Sequence, residues 1–379
     1  MKNKIYFDNA ATTPMDAEVI DLIAATMRET YGNPSSTHQF GRAAKAKIEH
    51  ARKQIAKLLR VDSSEIIFTS GGSEADNLIL INAVKNLGVT RIVSSKMEHH
   101  AVLHTLDYLE KEYQTEIQYV AISEKGEIDY THLESLLQGN KKTLVSLMYV
   151  NNELGNLLDI HKVAALCKEN KALFHSDTVQ AIGHFDIDLS KTPIDFITAS
   201  AHKFHGPKGI GFAYIKKGFG IQPLLLGGAQ EKGARAGTEN VPSIVGMAFA
   251  LKKMLSNLNT EKTYILSLKK YLIEQLEKQF KNIQFNGLSA DFTKSSYVIL
   301  NVLFPKELPM LLFQLDLNGV AVSGGSACQS GSHKGSHVLD AILSGKDLEK
   351  SAVRFSFSKY NTKQEIDQVI AVLKKLKVS

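Results

Sequence analysis

Cysteine is scarce in this chain: only Cys167 and Cys328 occur in 379 residues, far apart in sequence. Two distant thiols rule out a disulfide framework and fit a reducing cytoplasm, where the protein is expected to reside. Long apolar runs are missing as well. No stretch reaches about eighteen apolar residues, so no membrane-spanning helix is expected. The opening Met1-Lys2-Asn3-Lys4 runs straight into Ile5-Tyr6-Phe7 without an apolar segment and cleavage site, so no secretory signal is expected. Charge of one sign is not in large excess either. Lysine plus arginine total 45 against 39 acidic residues, a net +6, and pairs such as Lys141-Lys142 and Lys216-Lys217 read as solvated faces. Without a clustered basic stripe, nucleic acid is not an expected ligand. No internal repeat or low-complexity tract appears.

What is present is an ordinary globular composition, 44% hydrophobic and 22% charged, with enough apolar material for a substantial core. The length suggests two domains, or one large domain with an appendage. From Ile66 to Ile215, short apolar runs alternate with amphipathic stretches. The runs are Ile66-Ile67-Phe68, Arg91-Ile92-Val93, Leu144 to Met148, Leu173-Phe174-His175, Phe196-Ile197 and Gly211 to Tyr214. Helical candidates between them include Asn77 to Leu87 and His161 to Glu169. That alternation predicts an α/β domain, a mostly parallel sheet flanked by helices, with ligands bound beyond the carboxyl ends of its strands.

Near Asn257 the pattern changes. A helix over Thr263 to Phe280 is predicted, then a strand over Ser296 to Phe304, a helix over Pro309 to Leu317, a strand over Val353 to Phe357 and a closing helix over Thr362 to Leu376. Residues 15–256 are expected to form a large domain, and residues 1–14 with 257–379 a smaller α+β domain.

Three segments carry candidate chemistry. Ser200-Ala201-His202-Lys203 follows an apolar run, and a lysine at a strand end suits imine formation with an aldehyde once neighbouring cations and burial lower its pKa. Read alone, Lys203 and Lys208 are better explained as a solvated surface loop. Asp177 closes the run before it and could keep a pyridine nitrogen protonated. Its plainer reading is a helix N-cap. Phe68-Thr69-Ser70-Gly71-Gly72-Ser73 reads as strand, glycine turn and helix start, where free N–H groups can cradle a phosphate. The glycine spacing matches neither a Walker loop nor a dinucleotide fingerprint, and Ser73 could be a simple cap.

The spelling of these segments, together with Tyr6 to Pro14, Tyr31 to Ser36, Glu98-His99, Val150 to Gly155, Arg235 to Thr238, Gly325 to Cys328 and Arg354-Phe355-Ser356, resembles the cysteine desulfurases of the NifS/IscS type. These are a branch of the class-V aminotransferases with the fold-type-I architecture. The resemblance covers nearly the whole chain. It implies pyridoxal 5'-phosphate held as an imine on Lys203, with Asp177 on the pyridinium nitrogen and Gln180 on the phenolic oxygen. It implies that His99 stacks on the ring and shuttles protons, and that Gly72, Ser73, Ser200 and His202 hold the phosphate. Thr238 would complete that cradle from a partner subunit, which makes a homodimer the expected assembly. Asn152 and Arg354 would bind the carboxylate of the substrate, L-cysteine, Arg354 through a bidentate fork.

Cys328 lies in a glycine- and serine-rich stretch with few apolar anchors, expected to be mobile, whereas Cys167 sits on an apolar helical face and reads as core. The resemblance makes Cys328 the thiolate that takes sulfur from the substrate, leaving alanine and a persulfide for a sulfur-acceptor protein such as an iron–sulfur scaffold. The long interval from Cys328 to Arg354 resembles the group with a flexible catalytic loop. A zinc site made by Cys328, His333 and His337 falls short of a structural ligand set, so no metal is expected. The rival readings are a selenocysteine lyase, a class-V aminotransferase that would not need Cys328, and an inactive scaffold, which would need none of Lys203, Asp177, His99 or Cys328. Ser73 and Gly72 stand where threonine and alanine are frequent in the family, and both changes keep a hydroxyl and a backbone donor.

Overall fold

Several apolar runs of the sequence become strands buried on both faces in a computed structural model that describes residues 4–324 and 335–378. A two-residue strand, β1 (Ile5–Tyr6), precedes the helices α1 (Ala17–Glu29) and α2 (Gln39–Leu59). The alternating region then gives β2 (Ile66–Thr69), α3 (Gly72–Lys85), β3 (Arg91–Ser94), α4 (His100–Tyr113), β4 (Glu116–Tyr119), α5 (Tyr130–Leu136) and β5 (Thr143–Ser146). It continues with α6 (Ile160–Glu169), β6 (Leu173–Asp177), β7 (Phe196–Ser200) and β8 (Gly211–Ile215), closed by α7 (Val241–Ser256).

Among the described residues these strands form a seven-stranded sheet in the order β2-β8-β7-β6-β5-β3-β4. β4, β3, β5, β6 and β7 pair in parallel, and β8 alone runs against its neighbours β7 and β2. The stretch 201–210 between β7 and β8 is too short for a crossover helix, so the chain can only turn back. β2, β3, β5, β6 and β7 therefore end on one edge, where ligands of such sheets bind.

Successive strand residues face opposite layers. Phe68, Val93, Val145, Phe174 and Ile197 pack in one core with Ile48, Ile55 and Met247 of the outer helices. Ile67, Ile92, Leu144 and Phe196 pack in another with Leu78, Ile79, Val102 and Leu106 of α3 and α4.

After Asn257 come α8 (Leu258–Gln279), β9 (Gln284–Phe285), β10 (Ile299–Leu303), α9 (Leu311–Leu317), β11 (Val320–Ala321), α10 (His337–Ile342), β12 (Ala352–Ser356) and α11 (Lys363–Lys375). β12, β10 and β9 make an antiparallel sheet, while β1 pairs in parallel with β11. Their core draws in Ile5, Phe7 and Ala10 from the chain's start. The Phe7 ring stands edge-on to Phe357 with centroids 5.3 Å apart.

The structure departs from the sequence reading in small ways. The helix expected from Asn77 starts at Gly72, because two glycines allow the tight entry. The helix expected from Pro309 starts at Leu311, since Met310 takes a left-handed conformation at φ 59°. Thr362 caps α11 instead of beginning it, in a capping box with Glu365.

Candidate active site

The edge where the parallel strands end is hollowed into a cavity of about 500 Å³. Lys203, Asp177, His99, Gln180, Gly72, Ser73, Ser200, His202, Asn152 and Arg354 all line it, so ten residues scattered over the sequence reading meet in one place.

Lys203 ends a single 3₁₀ turn, Ala201–Lys203, that β7 runs into. The turn is closed by Gly206, whose N–H donates to Ala201 O at 2.9 Å. A Cβ at Gly206 would come within 2.9 Å of the Ala201 side chain, so the closure needs glycine. The start of the chain straps over this turn: Thr13 N–H and Oγ1 both donate to His202 O at 2.9 Å. Lys203 Nζ in turn donates to Ala10 O at 2.6 Å and Ala11 O at 2.9 Å. Gln180 Nε2 donates to the same Ala10 carbonyl at 2.9 Å. These carbonyls hold the amine at the mouth of the sheet.

Asp177 is the last residue of β6 and only 6% exposed. Its Oδ1 accepts Val179 N–H at 2.9 Å and faces Thr198 Oγ1 at 3.4 Å. No helix begins here, so the N-cap reading of Asp177 gives way to a carboxylate that caps a turn and faces the cavity. Burial, with the Asp76 carboxylate next, pushes its pKa up to about 6.

The α3 entrance is the second wall. Its N-cap is Gly71, without a side-chain cap, so Ser73 lies inside the first turn and is not the cap. The first-turn N–H groups are thereby left to the cavity. A Cβ on Gly72 would meet Val179 Cγ2 at 2.6 Å. A Cβ on Gly211 would lie 2.8 Å from Gly71 Cα, so glycine there lets β8 approach the turn. Arg235 clamps Glu74 at 2.9 Å, and Glu74 accepts Ser70 N–H at 2.8 Å, which fixes the turn from outside.

His99 is the N-cap of α4, and its Nδ1 accepts Ala101 N–H at 3.1 Å. That contact leaves Nε2 to carry the proton of the neutral ring. Burial holds the His99 pKa below its usual value, partly offset by Asp177. Burial, and then Lys203 and Lys208, bring His202 down to about 4, and its Nδ1 has no hydrogen-bond partner among the described residues.

Arg354 reaches in from β12. Its Nη2 lies 3.0 Å from Asp8 Oδ1 and its Nη1 donates to Asn152 O at 2.8 Å. The guanidinium expected to fork onto a substrate carboxylate is thus already oriented by one carboxylate and one carbonyl.

Thr238 is exposed and lines a neighbouring cavity that shares Ser70 and Gly209 with the Lys203 cavity, although Thr238 itself does not line the latter. Cys328 and His333 lie outside the described residues, and His337 Nε2 contacts Glu98 O at 2.9 Å. Among the described residues no group of three metal-ligating side chains forms.

The sequence reading missed Asp8, the Ala10 and Ala11 carbonyls, and Asp76. A signal existed for Asp76: it shares a helical stripe with the buried Leu80 and Ala83, and a carboxylate on an apolar face calls for an explanation.

Residues 5–369 match the protein family described as aminotransferase class-V. The chain belongs to that family. A cysteine desulfurase IscS of Dictyoglomus turgidum is 39% identical over 381 aligned residues, covering 99% of this chain and 95% of that protein. A solved NifS-like protein superposes with a TM-score of 0.89 at 36% identity, covering 99% of this chain and 98% of its own. SspA in complex with cysteine superposes at 0.81 with 31% identity, covering 94% of this chain and all of its own.

Class-V aminotransferases and cysteine desulfurases depend on pyridoxal phosphate, and this cavity suits that group. A primary amine, a buried carboxylate and an uncapped helix start line the same space. The orphaned His202 Nδ1 leaves a hydrogen-bonding atom on a residue that lines the same space.

Proposed function

We propose that the chain is a pyridoxal-phosphate-dependent cysteine desulfurase, which converts L-cysteine to L-alanine and leaves the sulfur as a persulfide on Cys328. The observation that carries this reading is the convergence of Lys203, Asp177, His99 and Arg354 on one cavity at the strand ends, in a chain 39% identical along its length to a cysteine desulfurase. The reaction balances as L-cysteine plus the Cys328 thiol giving L-alanine plus the Cys328 persulfide, with no outside oxidant.

Lys203 would hold the cofactor's aldehyde carbon, Asp177 its ring nitrogen and Gln180 its phenolic oxygen. The α3 entrance at Gly72 and Ser73, with Ser200 and His202, would hold its phosphate. Bound there, the group supplies an electron sink for the substrate's α-carbon. His99, neutral and with its proton on Nε2, is suited to stack over the ring and move a proton. Arg354 and Asn152 fix the substrate carboxylate, and Asp8 and the Asn152 carbonyl orient the guanidinium beforehand. Cys328, as the thiolate, attacks the substrate sulfur.

Exposed Thr238 supports a homodimer in which it reaches the partner's phosphate cradle. The core that joins Ile5, Phe7 and Ala10 to the residues after Asn257 supports a division into 15–256 and 1–14 with 257–379. No helix among the described residues is long and apolar enough to cross a membrane, and the two cysteines favour a cytoplasmic enzyme that hands its sulfur to an acceptor protein.

The test is sulfide and alanine release from L-cysteine with a thiol reductant, for wild type and Cys328→Ala. Equal amounts of both products from wild type are expected. The variant should keep the bound cofactor's visible absorbance and lose turnover. Desulfuration by Cys328→Ala at the wild-type rate would reject the persulfide route, and amino-group transfer to a keto acid without sulfide release would point to an aminotransferase.

A further inference from the structure

The turn Asn151-Asn152-Glu153-Leu154 takes part in the reaction only through Asn152, yet the residues beside Asn152 are bonded to several parts that meet at the cavity. Asn151 is 3% exposed, and its Oδ1 accepts the Glu153 and Leu154 N–H groups, both at 2.9 Å, which shapes the turn from inside. Its Nδ2 donates to Met97 O at 3.0 Å and so ties the turn to the segment that runs into His99. The Asn152 carbonyl accepts Arg354 Nη1 at 2.8 Å. Glu153 is 0% exposed, its carbonyl accepts Asn301 Nδ2 of β10 at 3.1 Å, and it does not line the cavity.

A buried carboxylate needs donors to hold it. The donor to Glu153 Oε2 is the Ser336 hydroxyl. The same Ser336 oxygen accepts Leu339 N–H at 3.1 Å, so Ser336 caps α10 and fastens it to the turn at once. His337 Nε2 adds its contact with Glu98 O at 2.9 Å, and Val338, Leu339 and Ile342 pack with Met97 and Leu154. Upstream of Cys328 the chain is fixed as well. Arg354 N–H donates to Ser323 O at 2.6 Å, and Ser323 N–H to Arg354 O at 3.3 Å. The stretch that carries Cys328 thus departs beside Arg354 and returns beside Glu153. Arg354 is bonded to Asn152 and Ser336 to Glu153, so both ends lead to one turn.

We infer that Glu153 is a positioning residue, which through the Ser336 hydroxyl fixes the return of the chain from Cys328 beside the segment that carries His99. This role rests on Cys328 being the sulfur acceptor. A thiol tethered at two fixed points samples less space than one tethered at a single point, which raises its effective concentration at the cavity. Because Glu153 does not line that cavity, its loss falls on the step that needs the thiol and spares the steps that need only the cofactor.

The test uses the full chain and begins without cofactor. Amide hydrogen exchange of residues 337–342, read by mass spectrometry, should quicken about tenfold in Ser336→Ala and in Glu153→Leu. Ser336 is only half-buried, so Ser336→Ala keeps the test open where Glu153→Leu fails to fold. Unchanged exchange overturns the anchor, whatever the activity. In the cofactor-loaded chain, Ser336→Ala should lose about tenfold in kcat for sulfide release, with KM for L-cysteine and cofactor affinity within about twofold. Exchange of the α-proton of L-alanine in deuterated water needs the cofactor site and no thiol, and should also stay within about twofold. Ser336→Thr keeps the hydroxyl and Glu153→Gln an acceptor oxygen, so both should keep sulfide release within about threefold. Equal losses in sulfide release and α-proton exchange would make the contact merely structural and overturn the inference. So would faster amide exchange without a fall in sulfide release. If wild type exchanges the alanine proton but releases no sulfide, the desulfurase reading fails, and the amide exchange still decides whether Glu153 holds the return.

Discussion

Asp177→Asn should make the cofactor-free protein more stable and the cofactor-bound protein less so. The substitution keeps shape and both contacts of Oδ1, to Val179 N–H at 2.9 Å and Thr198 Oγ1 at 3.4 Å. It removes only the charge. In the folded chain the carboxyl titrates near 6 against an ordinary 3.8, because burial opposes ionisation. A carboxyl raised in this way disfavours the folded state above its folded pKa and ceases to do so below the unfolded one. At pH 7.5 the cost relative to a neutral amide is on the order of 2–3 kcal/mol. Asp177→Asn should therefore raise the melting temperature of the cofactor-free chain by a few degrees at pH 7.5. That gain should shrink through pH 6 and vanish near pH 4. With pyridoxal phosphate present the order reverses, since a buried charge-assisted bond to the ring nitrogen contributes about 1.5–3 kcal/mol, roughly a tenfold to hundredfold change in dissociation constant. Calorimetry across pH and an absorbance titration with the cofactor measure the two halves separately. A stability gain that persists at pH 4 would refute the account of burial, and unchanged cofactor affinity would refute the pairing.

The other predictions probe the walls of the same site. Gly72→Ala places a methyl 2.6 Å from Val179 Cγ2; overpacking of about 1–3 kcal/mol should appear as a lowered melting temperature with or without the cofactor, while cofactor affinity by absorbance titration stays within a few-fold because the backbone donors remain. His205, whose Nδ1 meets Pro14 O at 2.7 Å, is brought down to about 4 by burial. Its contribution is fully present above pH 6.5 and is lost as pH falls toward 4. His205→Asn, which tolerates the φ of 61° there, should lack an acid loss of roughly 2–3 kcal/mol in denaturant titrations at pH 6.5 and 4.5. Arg52 and Glu231 form a buried two-point pair at 2.7 and 2.8 Å that carries the start of the segment reaching Thr238. Arg52→Met should cost about 3–5 kcal/mol, and the double variant with Glu231→Gln clearly less than the sum of the singles, since an unpaired buried charge is the main penalty.

What could be read from the sequence is divided by range. Lys203, Ser200, His202 and Asp177 were legible because each sits where an apolar run stops, and a strand that stops at a sheet edge delivers its last side chains to the ligand side. Gly72 and Ser73 were legible for the same reason, as a turn between a run and a helix. Features set by contacts between distant segments were not legible. Asp8 and Arg354 are 346 residues apart yet 3.0 Å from each other, and no periodicity encodes that pairing. The Ala10 and Ala11 carbonyls that hold Lys203 are backbone atoms, so their residue type says nothing of their task. β4 is half-buried throughout and β1 only two residues long, too weakly patterned to stand out.

Asp76 is a middle case, visible as an acid on an apolar stripe but unreadable until His175 is seen beside it. A carboxylate can be recognised in sequence, but its protonation state cannot. That state depends on which donors and acceptors close around it, and here His175 Nε2 stands 3.4 Å from Asp76 Oδ1. A substitution that keeps polar atoms facing His175, such as Asp76→Asn, should therefore be milder than one that extends the apolar stripe, such as Asp76→Leu. A ranking by hydrophobicity of that helical face gives the opposite order, so the melting temperatures of the two variants together separate a packing role from a polar one.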